Sequence, residues 1–466
     1  MTARRPPAVA STTHQGAQPT SPPVGDWAAP PAPGPLSARV TIPGSKSLTN
    51  RELVLAALAD APGRVLAPLE ARDSDLMVAG LRALGITVEE CPGGLRVVPG
   101  RLSGPAAVDT GLAGTVMRFL PPVAALADGP VTFDGDAAAR TRPMGAVLRA
   151  LAAVGVGVDD GGRGTLPVTI HGTGSVAGGR VEIDASASSQ FVSALLLAGA
   201  RYDHGIDVVH VGKPIPSLPH IAMTVEVLRL RGVTVDDGEP NRWHVSPGPI
   251  HARDVVIEPD LSNAAPFLAA ALVAGGQVTI TGWPDRTTQP GGQLPWLLEA
   301  LGGQATSAHD TVTVSGSGRI TGADLDLHEV GELTPVIAAV AAFADGPTLL
   351  RGIAHLRHHE TDRLAALAAE LRRVGVPADE TTDGLSIRPT GAPLVPASID
   401  TYGDHRMVHA AALLGLRTPG TVIVDVGTVA KTLPTFCALW TSMLAAGGDA
   451  PESGGTGQLP LRSGSA

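Results

Sequence analysis

Three lysines stand out among the basic residues of this chain. It has 466 residues, of which 34 are basic, and only Lys46, Lys213 and Lys431 are lysine. Arginine stays protonated, whereas a lysine ammonium is a compact charge whose proton can be transferred when its surroundings lower its pKa. Lys46 and Lys431 lie within polar motifs, so the sequence predicts that they bind an anion or move a proton. Lys213 lies outside these motifs, and chance retention of a lysine there is the alternative interpretation.

The first motif, PGSKSLTNR, combines a tight turn with polar side chains at a predicted helix start. Gly44 would form the turn, and Arg51 lies four residues after Ser47, so both side chains would occupy one face of the helix. Because the free N–H groups of a helix start bind anions, the motif predicts a phosphate or carboxylate site. A capped surface helix is the alternative. Neither a Walker loop nor a GxGxxG dinucleotide motif occurs.

Further polar motifs follow at similar intervals. They are GLAGTVMRF with Gly114 and Thr115, ARTRPMG with Arg142, SASSQF with Ser188, Ser189 and Gln190, HLRHHETDRL with His355, His358, His359, Glu360 and Arg363, YGDHRM with Arg406, and GTVAKTLP with Lys431. Serines at a helix start are often plain caps. The histidines suggest a metal site, but the neighbouring arginines would repel a cation, so we expect no metal.

These motifs belong to an internal repeat, in which an Ala/Leu-rich helix is followed by glycine and a β-branched strand. The glycines are Gly63, Gly129, Gly205, Gly276, Gly346 and Gly420, and by subtraction they lie 66 to 76 residues apart. The helices before them would begin just after Ser47, Thr115, Ser189, Ser262, Thr334 and Asp404. If symmetry relates the repeats, six helix N-termini could converge on one anion site.

The number of repeats predicts the domain organisation. Six units are too many for one core, so we predict two α/β domains, each with three helix–strand–helix–strand units. The first would span residues 44–253, and the second residues 34–43 together with 254–447. The Pro/Gly/Ser-rich segments 1–33 and 448–466 are predicted to be disordered tails.

The composition restricts the class of protein. A formal charge of −10 and a sequence pI near 5.8 argue against a nucleic-acid surface. No apolar run approaches the roughly 20 residues of a membrane helix, and no signal peptide is evident. Cys91 and Cys437 fit neither a disulfide framework nor a metal motif. We therefore expect a soluble, cytoplasmic, monomeric protein with no membrane or nucleic-acid partner.

In their order along residues 43–434, these motifs resemble the signatures of the EPSP synthase family of enolpyruvyl transferases. The resemblance implies a two-domain inside-out α/β barrel built from six helix–strand repeats, three per domain. It implies transfer of the enolpyruvyl group of phosphoenolpyruvate to the 5-hydroxyl of shikimate 3-phosphate, through a tetrahedral adduct that then loses phosphate. This reaction belongs to chorismate and aromatic amino acid biosynthesis. No cofactor is implied.

The resemblance also implies roles for individual residues. Those expected to bind shikimate 3-phosphate are Lys46, Ser47, Arg51, Ser188, Ser189, Glu332, His355 and His359. Those expected around phosphoenolpyruvate are Lys46, Gly114, Thr115, Arg142, Gln190, Arg363, Arg406 and Lys431. Lys46, Glu332 and Glu360 are the proton-transfer candidates, because a proton must leave the hydroxyl and another must reach the enol carbon.

The sequence departs from the family pattern at several positions. Leu112 and His355 stand where asparagine is usual, His359 replaces lysine, and Glu332 replaces aspartate. Segment 212–220 is longer than the common form, and its role stays open. A neutral His359 would make the affinity for shikimate 3-phosphate more dependent on pH than a lysine would.

Two alternative functions stay open. The first is enolpyruvyl transfer to UDP-N-acetylglucosamine. Enzymes of that kind usually carry a cysteine on a loop of the first domain, and Cys91 has no such context. The second is a catalytically silent paralogue that only binds phosphorylated ligands. Retention of Lys46, Glu360 and Lys431 speaks against it, because binding alone could use arginine.

Overall fold

The computed structural model describes residues 25–446. Its helices and strands follow the alternation of Ala/Leu-rich and β-branched segments in the sequence. Its strands are β1 (Trp27–Ala28), β2 (Leu36–Thr41), β3 (Gly63–Leu66), β4 (Thr87–Cys91), β5 (Gly94–Val98), β6 (Ala106–Asp109), β7 (Asp128–Asp134), β8 (Gly157–Asp159), β9 (Val168–Thr173), β10 (Gly179–Ile183), β11 (Ile206–His210), β12 (Val235–Asp236), β13 (Arg242–Val245), β14 (Val255–Val256), β15 (Gly276–Thr281), β16 (Gln304–Ala308), β17 (Thr311–Gly316), β18 (Asp324–Asp326), β19 (Thr348–Arg351), β20 (Ala378–Glu380), β21 (Leu385–Ile387), β22 (Ser398–Ile399) and β23 (Val422–Ile423).

The helices begin close to the predicted positions. They are α1 (Lys46–Ala57), α2 (Arg72–Ala83), α3 (Gly114–Ala124), α4 (Gly145–Ala153), α5 (Gln190–Gly199), α6 (Pro219–Arg229), α7 (Leu261–Ala274), α8 (Leu294–Ala300), α9 (Thr334–Ala341), α10 (Arg363–Arg373), α11 (His405–Gly415) and α12 (Phe436–Ala446). Short 3₁₀ helices cover Ala139–Thr141, Pro290–Gln293, His328–Leu333, Ala354–His358 and Val426–Lys431. Within residues 25–446, no helix has the length and apolarity that a membrane span requires.

The strands form six sheets with a common arrangement. Five have four strands, in the orders β14-β3-β5-β4, β6-β7-β9-β8, β10-β11-β13-β12, β2-β15-β17-β16 and β18-β19-β21-β20. In each, the second strand lies at or within two residues of a repeat glycine, between a parallel edge strand and an antiparallel hairpin. The sixth has the order β1-β23-β22. The repeat is confirmed, but the five four-stranded sheets contain more strands than the two per unit of the predicted helix–strand–helix–strand pattern.

The first helix of each repeat lies inside the protein. Helices α1, α3 and α5 contact one another, and so do α7, α9 and α11. These helices are buried over nearly their whole length, as expected for helices with apolar residues on all sides. The sheets lie outside them, where strands such as β2 alternate buried and exposed residues. The fold is therefore an inside-out α/β arrangement of six separate sheets around two sets of helices.

Two hydrophobic cores are present in the described residues. One contains buried residues between positions 48 and 257, and the other combines positions 29–42 with 261–444. These cores support the predicted division into domains 44–253 and 34–43 with 254–447, which we propose with one adjustment. Val255 pairs with Val65 and Ile257 packs in the first core, so the crossover lies near residue 258.

The predicted tail 1–33 is wrong for residues 25–33. Trp27 and Ala28 pair antiparallel with β23, and Ala29 is buried against Gly415. Its backbone N–H also donates to the carbonyl of Thr421 at 3.0 Å. Composition did not reveal this strand because an edge pairing of two residues leaves no periodic pattern. Residues 1–24 and 447–466 lie outside the described part of the chain, and so does the predicted tail 448–466.

Deleting residues 1–33 is expected to lower the melting temperature by about 2–6 °C relative to deleting residues 1–24, because only the longer deletion removes β1 and the buried Ala29. Calorimetry of the two truncated proteins gives the comparison. Equal melting temperatures would show that the β1–β23 pairing adds no stability.

Candidate active site

A cavity of about 130 Å³ lies between the two cores, and the starts of the central helices surround it. Residues at or within two positions of the start of all six helices line it, namely Lys46, Gly114, Gln190, Ser262, Glu332 and His405. Helix starts carry free N–H groups and partial positive charge. The expected convergence of six helix N-termini is therefore present, and it favours an anionic ligand.

Lys46 connects the two domains at the cavity. Its backbone N–H donates to Asp260 Oδ2 at 3.1 Å, and Asp260 also caps α7 by accepting from the N–H of Asn263. The Lys46 ammonium lies 3.3 Å from the buried Asp73 carboxylate. Asp73 therefore orients the ammonium toward the cavity, where Ser47 also forms part of the lining.

Arg51 lies beneath the cavity and is not among its lining residues. It is 1% exposed, and burial lowers its pKa to about 9. Its guanidinium donates to the carbonyls of Ser47 and His220, both at 2.9 Å, and to the Thr224 hydroxyl at 2.8 Å. Arg51 therefore links the Ser47 and His220 segments of the cavity wall, and its side chain does not face the cavity.

Two arginines pack over the start of α3. A Cβ at Gly114 would lie 3.1 Å from guanidinium nitrogens of both Arg118 and Arg142, so a larger residue would require these side chains to shift by a few tenths of an ångström. Arg118 donates to Gln190 Oε1 at 2.7 Å. Arg142 donates to the backbone carbonyl of Leu112 at 3.2 Å, so this contact does not require asparagine at that position. Burial lowers the pKa of both arginines.

Other predicted residues of the first domain lie nearby. Thr115 accepts a hydrogen bond from Asn50 Nδ2 at 2.6 Å. Ser188 Oγ accepts from the backbone N–H of Gln190 at 3.2 Å, and Ser189 is buried beside it. All of these predicted residues line the cavity.

Glu360 lies between two cationic or protonatable groups. Its Oε1 is 2.5 Å from the Lys431 ammonium, and its Oε2 is 3.0 Å from His405 Nδ1. Burial raises the pKa of Glu360, but Lys431 and His405 outweigh burial and hold this pKa well below its usual range. Burial lowers the pKa of Lys431, and the contact with Glu360 limits the decrease. Glu360 is thus an ionised carboxylate next to a lysine whose pKa is lowered by burial.

Arg363 and Arg406 form the second-domain side of the cavity. Arg363 Nε donates to Asp404 Oδ2 at 2.7 Å, and its Nη1 lies 3.2 Å from His359 Nδ1, which must accept. Within the described residues, the buried atoms Arg142 Nε and Arg406 Nη1 have no hydrogen-bond partner. Buried donors of this kind are costly unless something accepts from them, so they indicate where an anion binds.

Glu332 pairs with a residue of the other domain. Its Oε1 lies 3.5 Å from His220 Nε2 and accepts from the Ser262 hydroxyl at 3.3 Å. Burial raises the pKa of Glu332, but His220 and Arg406 together outweigh burial and bring the pKa to about 2. Burial lowers the pKa of the neighbouring His355 to about 4, and burial together with Arg363 holds the pKa of His359 well below its usual range.

The only cluster in residues 25–446 that offers three close metal-ligand atoms is Glu360, Asp404 and His405. Lys431 pairs with Glu360 and Arg363 pairs with Asp404, so two cations already occupy these carboxylates. The cluster has the chemistry of an ion-pair network. His355, His358 and His359 line the cavity without forming such a cluster.

The structure brings together every predicted site residue except Arg51, and it adds several that the sequence analysis did not select. These are Asp73, Arg118, Ser217, His220, Asp260 and His405. Arg118 and His405 lie inside the motifs GLAGTVMRF and YGDHRM, and Ser217 and His220 lie in segment 212–220, so the sequence already marked the surroundings of these four residues. Asp73 lies in an ordinary helix start and carries no such signal.

The similar proteins found for this chain are EPSP synthases and a further enolpyruvyl transferase. The family model for EPSP synthase (3-phosphoshikimate 1-carboxyvinyltransferase) matches residues 30–440. A 3-phosphoshikimate 1-carboxyvinyltransferase from Kocuria rhizophila is 52% identical over 434 residues, which cover 91% of this chain and 97% of the relative. The chain belongs to the EPSP synthase family.

Solved structures agree in fold. EPSP synthase from Acinetobacter baumannii has a TM-score of 0.75 at 26% identity, covering 90% of this chain and 98% of that one. The enolpyruvyl transferase NikO from Streptomyces tendae has a TM-score of 0.69 at 19% identity, covering 91% and 98%. Because NikO is only 19% identical, its similarity supports the fold and not a shared activity.

A buried histidine next to the site predicts how stability depends on pH. His409 is fully buried, its ring lies 4.9 Å from the Phe436 ring, and neither of its nitrogens has a partner among the described residues. Burial holds its pKa well below the usual range, with His405 and Arg406 adding to the effect. The unfolded chain takes up this proton near pH 6.5 and the folded chain does not, so stability falls as the pH decreases below about 6.5.

His409→Met should therefore reduce the loss of melting temperature between pH 7 and pH 5, by about 2–4 °C for ~1 kcal/mol. Thermal unfolding at both pH values measures this, with His204→Met as an exposed control. The same loss in the parent and in His409→Met would contradict the assignment.

Proposed function

We infer that the chain is a 3-phosphoshikimate 1-carboxyvinyltransferase, which transfers the enolpyruvyl group of phosphoenolpyruvate to the 5-hydroxyl of shikimate 3-phosphate and releases phosphate. The observation that carries this inference is the cavity between the two cores, where helix starts and cations from both domains face one another. Two phosphorylated acids repel each other, and such a site offsets their charges. The name of the 52% identical relative supports the same reaction.

We propose two regions within the cavity. Shikimate 3-phosphate would lie against Ser188, Ser189, His220 and Glu332, beside Ser47. Phosphoenolpyruvate would lie where the unpartnered nitrogens of Arg142 and Arg406 meet Arg363, Gln190 and Lys431, over Gly114 and Thr115. Lys46 would stand between both ligands, held by Asp73.

The proposed reaction has two steps. The 5-hydroxyl oxygen bonds to C2 of phosphoenolpyruvate while its proton passes to a base and C3 takes up a proton. The tetrahedral adduct then loses phosphate from C2 and a proton from C3, which restores the double bond. Glu332, ionised because of His220, is the proposed acceptor of the hydroxyl proton. Glu360 with Lys431, and Lys46, are the proposed groups for the proton at C3.

We also propose that the protein works in the cytoplasm as a monomer. Cys91 and Cys437 are both free, which fits a reducing compartment. Each of the two cores contributes to the one cavity, so a single chain supplies every residue that the proposed reaction uses.

Phosphate release tests the proposed function directly. Release should require both phosphoenolpyruvate and shikimate 3-phosphate, and UDP-N-acetylglucosamine should not replace the latter. Release from phosphoenolpyruvate with UDP-N-acetylglucosamine and not with shikimate 3-phosphate would establish the sister reaction, and no release with either acceptor would indicate a silent paralogue.

Glu360→Gln tests the proton-transfer role while keeping the size of the side chain. It should lower the turnover rate by about 100- to 10,000-fold. Because the variant leaves the Lys431 charge less neutralised, the KM for phosphoenolpyruvate should not rise, and calorimetric binding of shikimate 3-phosphate should survive.

Two variants provide the comparison. Lys46→Met should weaken binding as well as turnover, because Lys46 carries a charge into the cavity. Glu370→Gln, a buried carboxylate paired with Arg373 outside the cavity, should keep its turnover. Turnover of Glu360→Gln within about tenfold of the parent would rule out the assignment.

A further inference from the structure

Segment 211–218 connects β11 to α6 and reaches the cavity, where Pro216 and Ser217 form part of the lining. Ser217 has a φ of 55°, a conformation that costs a residue with a side chain about 1–2 kcal/mol. Such a conformation persists only where surrounding contacts hold it. Two histidines hold this segment, His210 from the first domain and His328 from the second.

His210 holds the start of the segment as a neutral ring. Its Nδ1 accepts from the backbone N–H of Ala185 at 3.1 Å, so Nδ1 carries no proton. Its Nε2 then carries the one proton of the ring and donates to the carbonyl of Lys213 at 2.8 Å. One proton satisfies both contacts.

His328 faces a different pair of partners. Its Nδ1 lies 3.1 Å from the carbonyl oxygen of Gly352 in its own domain, and its Nε2 lies 3.1 Å from the carbonyl oxygen of Ile215 in the first domain. Both oxygens only accept. A neutral ring has one N–H and leaves a lone pair facing the other oxygen, whereas an imidazolium donates to both. Only the doubly protonated ring can donate to both oxygens.

Carboxylates predominate around His328. The charged and titratable groups on the elements packed against it are Asp324, Asp326, Glu329, Glu332, Asp383, Arg351, Lys213, His220 and His355, and Arg351 is paired with Asp324. Asp326 accepts from the backbone N–H of His328 at 2.9 Å, and the Glu329 carboxyl is next in the chain. The His355 ring lies 6.0 Å away, and its low pKa keeps it neutral near pH 7, so it does not repel a cation.

We propose that His328 is a positioning residue that ties segment 211–218 of the first domain to the second domain and so fixes the Ser217 edge of the cavity. The backbone N–H of Ser217 also donates to the His328 carbonyl at 3.1 Å, which places the tie directly at this edge. Loss of the ring proton as the pH rises removes one of the two side-chain hydrogen bonds and loosens the edge. The effect on ligands rests on the proposed function, in which shikimate 3-phosphate binds there.

The first experiment compares the KM for shikimate 3-phosphate in the parent and in His328→Gln between pH 5.5 and pH 8.5. A glutamine amide does not titrate, and its two N–H donors are on a single nitrogen, so it cannot replace donors on two separate ring nitrogens. The KM of the variant should exceed that of the parent by about fivefold at pH 6 and by less than about twofold at pH 8, with kcat nearly unchanged. The phosphate of the substrate also titrates, but it does so for both proteins, so the ratio isolates His328.

A matched control supports the comparison. His204 also faces one backbone carbonyl, that of Ala177 at 2.9 Å, but it is exposed and lies within one domain. His204→Gln should keep the KM of the parent at every pH. A KM ratio between His328→Gln and the parent that is the same at pH 6 and pH 8 overturns the proposal.

The second experiment needs no substrate and separates this proposal from the proposed function. Hydrogen exchange of residues 211–218, corrected for the intrinsic effect of pH, should be faster in His328→Gln than in the parent at pH 6 and similar at pH 8. If the parent releases no phosphate, the proposed function fails while this measurement still decides the role of His328. Equal protection of the segment in both proteins at pH 6 overturns it, and His328→Asn serves if the first variant does not fold.

Discussion

Charge balance at the cavity is the constraint on which the rest of the structure depends. Six helix starts bring partial positive charge to one place, and lysine and arginine side chains add full charges that burial makes costly. The carboxylates of Asp73, Glu360 and Asp404 each hold one of these cations. The two domains must therefore stay in register, because the helix starts and the paired charges come from both.

The helix starts around this cavity could be predicted from sequence because their signals are local. Gln190 and His405 begin their helices directly after the predicted positions Ser189 and Asp404, whereas Lys46 and Gly114 begin theirs two residues early. The Asp404 carboxylate caps its helix, and such a cap acts over a few residues. The sheet edges could not be predicted. Asp26 Oδ1 accepts from the backbone N–H of Asp425, which is 399 residues away in sequence. A local sequence pattern cannot predict a contact over that distance.

The site shows the same division between local and distant information. Motif order identified most of the cavity lining, but helix spacing gives the face of a residue and not its depth. Arg51 lies on the same helix face as Ser47 but one turn further into the core. There its guanidinium hydrogen-bonds to other groups of the protein and not to the cavity. The partnership of Glu332 with His220 crosses between domains, so its effect on the Glu332 pKa could be found only from the structure.

Strand β2 belongs to the second domain although it precedes the first domain in the chain. Its partner is β15, and the hydroxyls of Thr41 and Thr281, which lie 2.8 Å apart, are 240 residues apart in sequence. A ribosome adds about 5–20 residues per second, so β2 waits about 12–50 s before β15 is made. During that time the first domain can fold while β2 exposes an unpaired edge. The outward-facing Arg39 at the centre of β2 opposes association of this edge with other nascent chains.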